Sequence, residues 1–327
     1  YMTGDIKGAW LSDTDTTNAV STDLLGGIGN FTDVNAWTVS SGWSLSSNIA
    51  TGSGVTNYLL PASNGILTAG KEYAVTVTQS GYTSGALYLY MGTGAPASGN
   101  HFIALPSAVG TYTFILNAYN SNFGIYGAGY TGVIDNVTVS LADADRSINA
   151  NGLQVNGTIT KTAVATGADL VAYSGFSASN YLEQPYNADL DFGTGDFSIM
   201  GWFKQTTYAG TCVLLRRNTT TGLTAGRWNI QETSAGALSF GIEGSSGSNL
   251  LNGATVKSNV WHFLVVKRSG TSLTYYLDNI LKDTETNSVS LNCANAELSV
   301  GANNGGVSSF TNGSLALWRI SATAPTA

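Results

Sequence analysis

Charge is scarce in this chain. Only 10% of its 327 residues are Asp, Glu, Lys or Arg, against about 25% in a typical soluble protein. Gly, Ser, Thr and Asn take their place. The net charge is −7 with no basic cluster, which argues against a nucleic-acid partner, because phosphate backbones are held by grouped Lys and Arg. No run of about 18 apolar residues is present, so no helix is expected to insert in a membrane. Runs of Glu, Lys, Leu and Ala that would favour helix are nearly missing. The two histidines, His101 and His262, are too few for a zinc site or a Ser-His-Asp triad. The two cysteines, Cys212 and Cys293, cannot staple a domain framework. A single bridge stays open, and free buried thiols are the plainer expectation.

What is present is β chemistry. Apolar content is 43%, with 16 Tyr and 7 Trp, and Thr, Val and Ile are plentiful. In "KEYAVTVTQ" Tyr73, Val75 and Val77 fall on one face, with Glu72, Thr76 and Thr78 on the other. "GALYLYMG" sets Leu87, Leu89 and Met91 against Tyr88 and Tyr90. That period of two marks half-buried strands. Their spacing, with Gly, Asn and Ser between them, predicts an all-β chain of two tandem antiparallel β-sandwich (jelly-roll) domains. Residues 1–20 read as a connector, 21–142 as a first jelly roll, 143–166 as a polar linker and 167–327 as a second sandwich. Within the linker, Asn156-Gly157 suggests a hairpin turn. The start, "YMTGDIKGAW", is neither a signal peptide nor an initiator methionine, and the end, "SATAPTA", stops abruptly. The chain reads as a piece of something longer.

The second half carries a specific ordered set of phrases: "YSGFSASNYLEQPYNADLDFGTGDFSIMGWFK", "NVWHFLVVKRSGTSLTYYLDNILK", "AELSVGANN" and "NGSLALWRIS". Over about residues 167–327 this resembles the LamG-type concanavalin A-like lectin/glucanase domain. The resemblance implies that "DLDFGTGDF" is a structural corner, from which Phe197, Ile199 and Phe203 drop into the core. No helix is expected after its Gly-x-Gly, so a dinucleotide site is not expected. Asp278-Asn279 stands where the family usually has Asp-Gly, and Asn also tolerates positive φ. His262, in the "WH" strand, is expected to pack or hydrogen-bond. The first domain more loosely resembles carbohydrate-binding-module-like jelly rolls, through "GNFTDVNAWTVSSGW", "LTAGKEYAVTVTQSGYTSGALYLYMG" and "GVIDNVTVSL".

Two metal readings follow from these resemblances. Asp189, Asp191 and Asp196 are hard oxygen donors for a structural Ca2+ at a sheet edge, with solvated turn acids as the alternative. Asp135 shares a face with Val133, Val137 and Val139, and a buried carboxylate needs a cation or several donors. Catalysis is not expected. The fold's glucanases use Glu-x-Asp-x-x-Glu, and no such triplet occurs. What remains is display of aromatic rings, which stack on pyranose faces. The carbohydrate-binding candidates are Trp43, Tyr58, Tyr82, Tyr88 and Tyr90 in the first domain, with Tyr88 and Tyr90 outward. In the second they are Tyr208, Arg227 and Trp228, in or beside loops with Arg216 and Arg217. Trp37, Trp202, Trp261 and Trp318 are expected in the cores.

The entry "YMTGDIKGAWLSDTDTT" and the junction "GLQVNGTITKTAVATGADLVAYSGFSASNYLEQPY" are similar to those of LamG-bearing bacteriophage tail proteins. The resemblance implies a non-catalytic virion surface protein, a homo-trimer in the manner of tail fibres. It would bind host cell-surface polysaccharide and neighbouring tail subunits. The alternatives are a structural virion module that binds no sugar, and a secreted bacterial adhesin.

Overall fold

The computed structural model describes residues 5–325 apart from 47, 93–101, 208–209, 220–224, 234, 244–247, 304–305 and 307. Both halves are antiparallel β-sandwiches, and among the described residues no helix is long and apolar enough to cross a membrane. The chain divides into a small unit, Ser21–Ala142, and a large unit made of Tyr1–Val20 with Asp143–Ala327. The small unit is thus an insertion in the sequence of the large one.

In the small unit two long strands, Glu72–Tyr90 and Gly124–Leu141, pair antiparallel from Leu141↔Tyr73 to Gly124↔Tyr90. Their register slips between Ala128 and Asn136. Such bulges bend and twist a ribbon, so both halves turn an apolar face to one core. Val75 and Val77 from one half, and Leu87 and Leu89 from the other, are buried in a single cluster with Phe123, Ile125 and Tyr130. The alternation read from the sequence is therefore correct for Tyr73, Val75, Val77, Leu87, Leu89 and Met91, all of them buried.

The large unit stacks a nine-stranded sheet against a seven-stranded one. The first runs Ala19–Val20, Thr158–Ala163, Val171–Ser174, Gly313–Ser321, Phe197–Gln205, His262–Ser269, Ser272–Leu277 and Ile280–Thr286, with Ile6–Trp10 also on Gly313–Ser321. The second runs Gln154–Asn156, Tyr181–Gln184, Glu297–Val300, Cys212–Asn218, Arg227–Glu232, Ala237–Glu243 and Ser248–Thr255.

Two expected boundaries differ. Residues 1–20 are no connector, because Ile6–Trp10 pairs with Gly313–Ser321 and buries Trp10 and Leu11. Residues 143–166 are no linker, since Leu153, Val155 and Ile159 are core residues of the large unit. Nor does Asn156-Gly157 close a hairpin. The strands on either side of it belong to different sheets. Gly157 has φ 65°, and a Cβ there would lie 2.1 Å from the Ser179 carbonyl, so only glycine makes this crossing.

The "DLDFGTGDF" corner is held by two buried arginines. Asn187 caps a short 3-10 turn, Ala188–Leu190, by accepting from the Asp189 amide. Arg217, fully buried, donates from Nη2 to Asp191 Oδ1 at 2.7 Å and from Nη1 to the Leu291 carbonyl at 3.2 Å. Asp191 also accepts from the Cys293 amide and the Tyr186 hydroxyl. Burial pushes this carboxyl up, but those three donors together hold it below the ordinary carboxylate range. Arg268, equally buried, donates to the carbonyls of Gly193, Gly195 and Val289 at 2.7–2.9 Å, with its guanidinium 5.2 Å from the Phe197 ring. Phe197, Ile199 and Phe203 then enter the core as expected. Both Asp278 and Asn279 have positive φ, 53° and 62°, as a two-residue primed hairpin turn requires. His262 hydrogen-bonds Asp278 at 2.7 Å. Cys212 and Cys293 are buried and form no disulfide.

One core carboxyl is less well served. Glu232 is fully buried, and among the described residues neither of its oxygens has a partner at hydrogen-bond geometry. Burial raises it to about 7, opposed by the nearby Gln205 amide and His262. Asp143, buried on the Tyr173 hydroxyl at 2.8 Å, is raised to about 6 by desolvation.

Removing one member of a buried ion pair strands the other, at a cost of about 3–5 kcal/mol. Arg217→Met is therefore expected to lower the melting transition of the large unit and leave that of Ser21–Ala142 in place, as calorimetry would resolve. Glu232 and Asp143 are protonated when folded at pH values where they ionise unfolded, so stability falls as pH rises from about 4 toward 7. Glu232→Gln should remove its share, on the order of a few kcal/mol, and flatten the melting profile between pH 5 and 7.

Candidate functional site

Tyr126, on Gly124–Leu141, lies opposite Tyr58 on one neighbouring strand and opposite Tyr88 on the other. Tyr90 lies opposite Phe102 one step along. Side chains alternate along a strand, so Leu59, Ile125, Leu87 and Leu89 enter the core while these five rings collect on the reverse face. The ring centroids are 4.8 Å apart for Tyr58–Tyr126, 6.4 Å for Tyr88–Tyr126, 5.8 Å for Tyr88–Phe102, 6.3 Å for Tyr58–Tyr90 and 6.4 Å for Tyr90–Phe102. Tyr58, Tyr88, Tyr126 and Phe102 are half-buried, and none of the five belongs to the core cluster. Burial raises the Tyr58 phenol, helped by Tyr90 and Tyr126, and burial alone raises that of Tyr90. Tyr58 and Tyr90 therefore stay neutral at physiological pH. The face offers ring surfaces edged by hydroxyls, which suits stacking and hydrogen bonding to a polyol and supplies no acid–base or nucleophilic group.

The structure thus unites Tyr58, Tyr88 and Tyr90 from the sequence prediction, with Tyr90 largely covered at 7% exposure. It adds Tyr126 and Phe102. Both were within reach of the alternation rule, because Ile125 and Ile103 beside them point to the core side. Trp43 is not part of the platform. It is buried against Tyr130, and its indole donates to the Asn57 carbonyl. Tyr82 packs against the core and donates to the Gly85 carbonyl of its own turn.

In the large unit the candidates separate. Tyr208 lies outside the described residues. Arg227 and Trp228 are buried, since Arg227–Glu232 is an inner strand of the seven-stranded sheet and not a loop. Arg216 and Arg217 are likewise strand residues. Two tryptophans expected in the core are at the surface. Trp202 is 38% exposed and Trp261 half-buried. With Val164, Leu170 and Leu317 they line an apolar groove of about 380 Å3. Trp202 follows the parity opposite to Phe203. The space beneath the sheet at this level belongs to Trp318, whose indole would lie 2.3 Å from a Cβ on Gly201. Trp37 and Trp318 are core residues.

The acidic candidates do not converge. Asp191 is neutralised by Arg217, Asp189 accepts from the Asn151 amide at 3.2 Å, and Asp196 accepts from the Gly270 amide at 2.7 Å. Among the described residues no three His, Cys, Asp or Glu side chains come together, so these carboxylates do not fit one shared Ca2+. Asp135 does not face the core. Ile134 pairs with Gln79 and Asn136 with Thr78, which leaves Asp135 as the extra residue of a bulge, and it is exposed.

The chain is similar to several solved structures at low identity. A Ruminococcus gnavus IT-sialidase CBM40 bound to alpha2,3 sialyllactose aligns at 16% identity and TM-score 0.37, covering 41% of this chain and 80% of that one. A botulinum neurotoxin type C structure, described by dependence of cell entry on two ganglioside molecules, aligns at 14% identity and TM-score 0.41, covering 57% and 46%. The binding domain of Paraclostridial Mosquitocidal Protein 1 aligns at 14% identity and TM-score 0.44, covering 56% and 47%. No curated protein matches. A family model described as the concanavalin A-like lectin/glucanases superfamily matches residues 176–327, and that part of the chain is similar to it.

Proposed function

We propose that this chain is a non-catalytic attachment protein that holds cell-surface polysaccharide on the aromatic face of its small unit. The observation that carries the proposal is the set Tyr58, Tyr126, Tyr88, Tyr90 and Phe102, gathered on one sheet face outside the core. Rings spaced by the strand repeat meet successive apolar sugar faces, while phenols reach the hydroxyls. The lectin-superfamily domain beside it in the sequence agrees with this role. The reading leaves out glycoside cleavage. That chemistry needs two carboxyls flanking the bond, and the carboxyl raised closest to neutrality, Glu232, is enclosed in the core. We place the protein on the exterior of a bacteriophage particle, in the tail, next to other tail subunits and in several copies such as a homo-trimer. The tail-protein resemblance of its opening and junction segments supports that placement. Copy number would multiply a weak single-site affinity.

A multimerised full chain should bind host cells and isolated host polysaccharide saturably. Tyr88→Ala and Tyr126→Ala are each expected to weaken binding about tenfold, equivalent to about 1.4 kcal/mol, with the melting profile retained. Binding that is absent in multimeric form, or indifferent to both substitutions, overturns the proposal. Complete absence would leave a structural role in the particle.

A further inference from the structure

The outward face of the nine-stranded sheet carries the apolar groove of about 380 Å3 lined by Trp202, Trp261 and Leu317. A bulge places Leu317 there. Met200 pairs with Arg319 and Trp202 with Ala316, so Leu317 belongs to an extra step in its strand, with φ 52° and 41% exposure. Left-handed backbone is unfavourable for leucine, and bulges serve to re-aim side chains. The apolar surface continues beside the groove. The Phe263 ring lies 5.1 Å from that of Trp202, and Met200 pairs with Val265, which pairs with Tyr276, all half-buried. Apolar surface of this kind marks interaction sites.

Cations accompany it. Phe197–Gln205, His262–Ser269 and Gly313–Ser321 contain no acid. Lys204 sets its ammonium 5.3 Å from the Trp261 ring, Lys267 sets its own 5.6 Å from the Tyr276 ring, and Arg319 stands opposite Met200. Among the described residues none of these three cations is in an ion pair. Asp169, in the exposed turn before Leu170, is the one acid adjacent in sequence to a lining residue.

We infer that this face is the docking site of an acidic amphipathic segment of a partner protein. Its apolar side chains would enter the groove and its carboxylates would meet Lys204, Lys267 and Arg319, which fixes register as well as affinity. A second copy is the poorer occupant, because two such faces would set three cations against three with no acid between them. A bilayer is also poorer. Membrane-seeking faces project their rings into the lipid, whereas Trp202 and Trp261 line a depression, and a chain of net charge −7 is repelled by an anionic leaflet. The inference shares no residue with the aromatic platform and does not rest on the attachment role.

The test measures fluorescence anisotropy of dye-labelled synthetic peptides on the full chain. One set carries Leu and Phe on one face and Glu on the other. A second set replaces Glu by Lys, and a third scrambles the order. The acidic amphipathic set is expected to bind saturably, at least tenfold tighter than either control, and more weakly as salt rises. Trp202→Ala and Leu317→Asn, the latter suited to left-handed backbone, should each weaken binding about tenfold with melting unchanged. Lys204→Glu should do the same for the acidic set and spare the scrambled one. Absence of saturable binding, equal binding by the Lys set, or indifference to all three substitutions overturns the inference. So does binding to phosphatidylglycerol vesicles, or self-association in the ultracentrifuge, that is lost with Leu317→Asn, since the groove would then have another occupant.

Discussion

The buried pair of Arg217 with Asp191 is the constraint on which the large unit depends. It fixes the corner that leads into Phe197–Gln205, the strand that runs through the middle of the nine-stranded sheet. With Arg268 gripping the Gly193 and Gly195 carbonyls over the Phe197 ring, the strand enters in one register only. A slip by one residue would exchange Phe197, Ile199 and Phe203 for the side chains between them. Buried charge is expensive unless neutralised and hydrogen-bonded. Here both guanidiniums are matched by a carboxylate or by backbone carbonyls that the turn leaves without strand partners. What resembled a ligand-cradling Gly-x-Gly loop is instead the ligand of an arginine.

Much of this was legible in the sequence, and the misses have physical causes. Period-two patterning identified both sandwiches and the facing of Leu87, Leu89, Tyr88 and Tyr90. Applied strictly, the same rule places Trp202 opposite Phe203 and therefore outside. Size and hydrophobicity are poor guides to burial for a lone tryptophan. Asp135 was not recoverable, because a bulge changes parity without leaving a mark in the alternation. Arg227 and Trp228 sit just after a Gly- and Thr-rich run that looks like a loop, yet pairing on both sides makes theirs an inner strand. Residues 143–166 seemed to be a tether because their short strands need few apolar residues, and Leu153, Val155 and Ile159 supply them. The platform was half visible. Three of its tyrosines stand out locally, but their union with Tyr126 and Phe102 is made by pairing between distant strands.

The insertion of Ser21–Ala142 into the large unit has a consequence for the order of folding. During synthesis the small unit is contiguous and is complete as soon as Leu141 has emerged, since domains generally fold as units from the N-terminal side. Ile6–Trp10 must wait far longer, because its partner Gly313–Ser321 lies about 300 residues further along and is the last strand among the described residues. Until then Trp10 and Leu11 have no core to enter. Closing a loop of that length adds little to the equilibrium cost, but non-local pairing of this kind slows folding steeply. The nascent chain therefore carries a finished sandwich beside an exposed hydrophobic strand, a state in which chaperones or neighbouring copies have their longest opportunity to act.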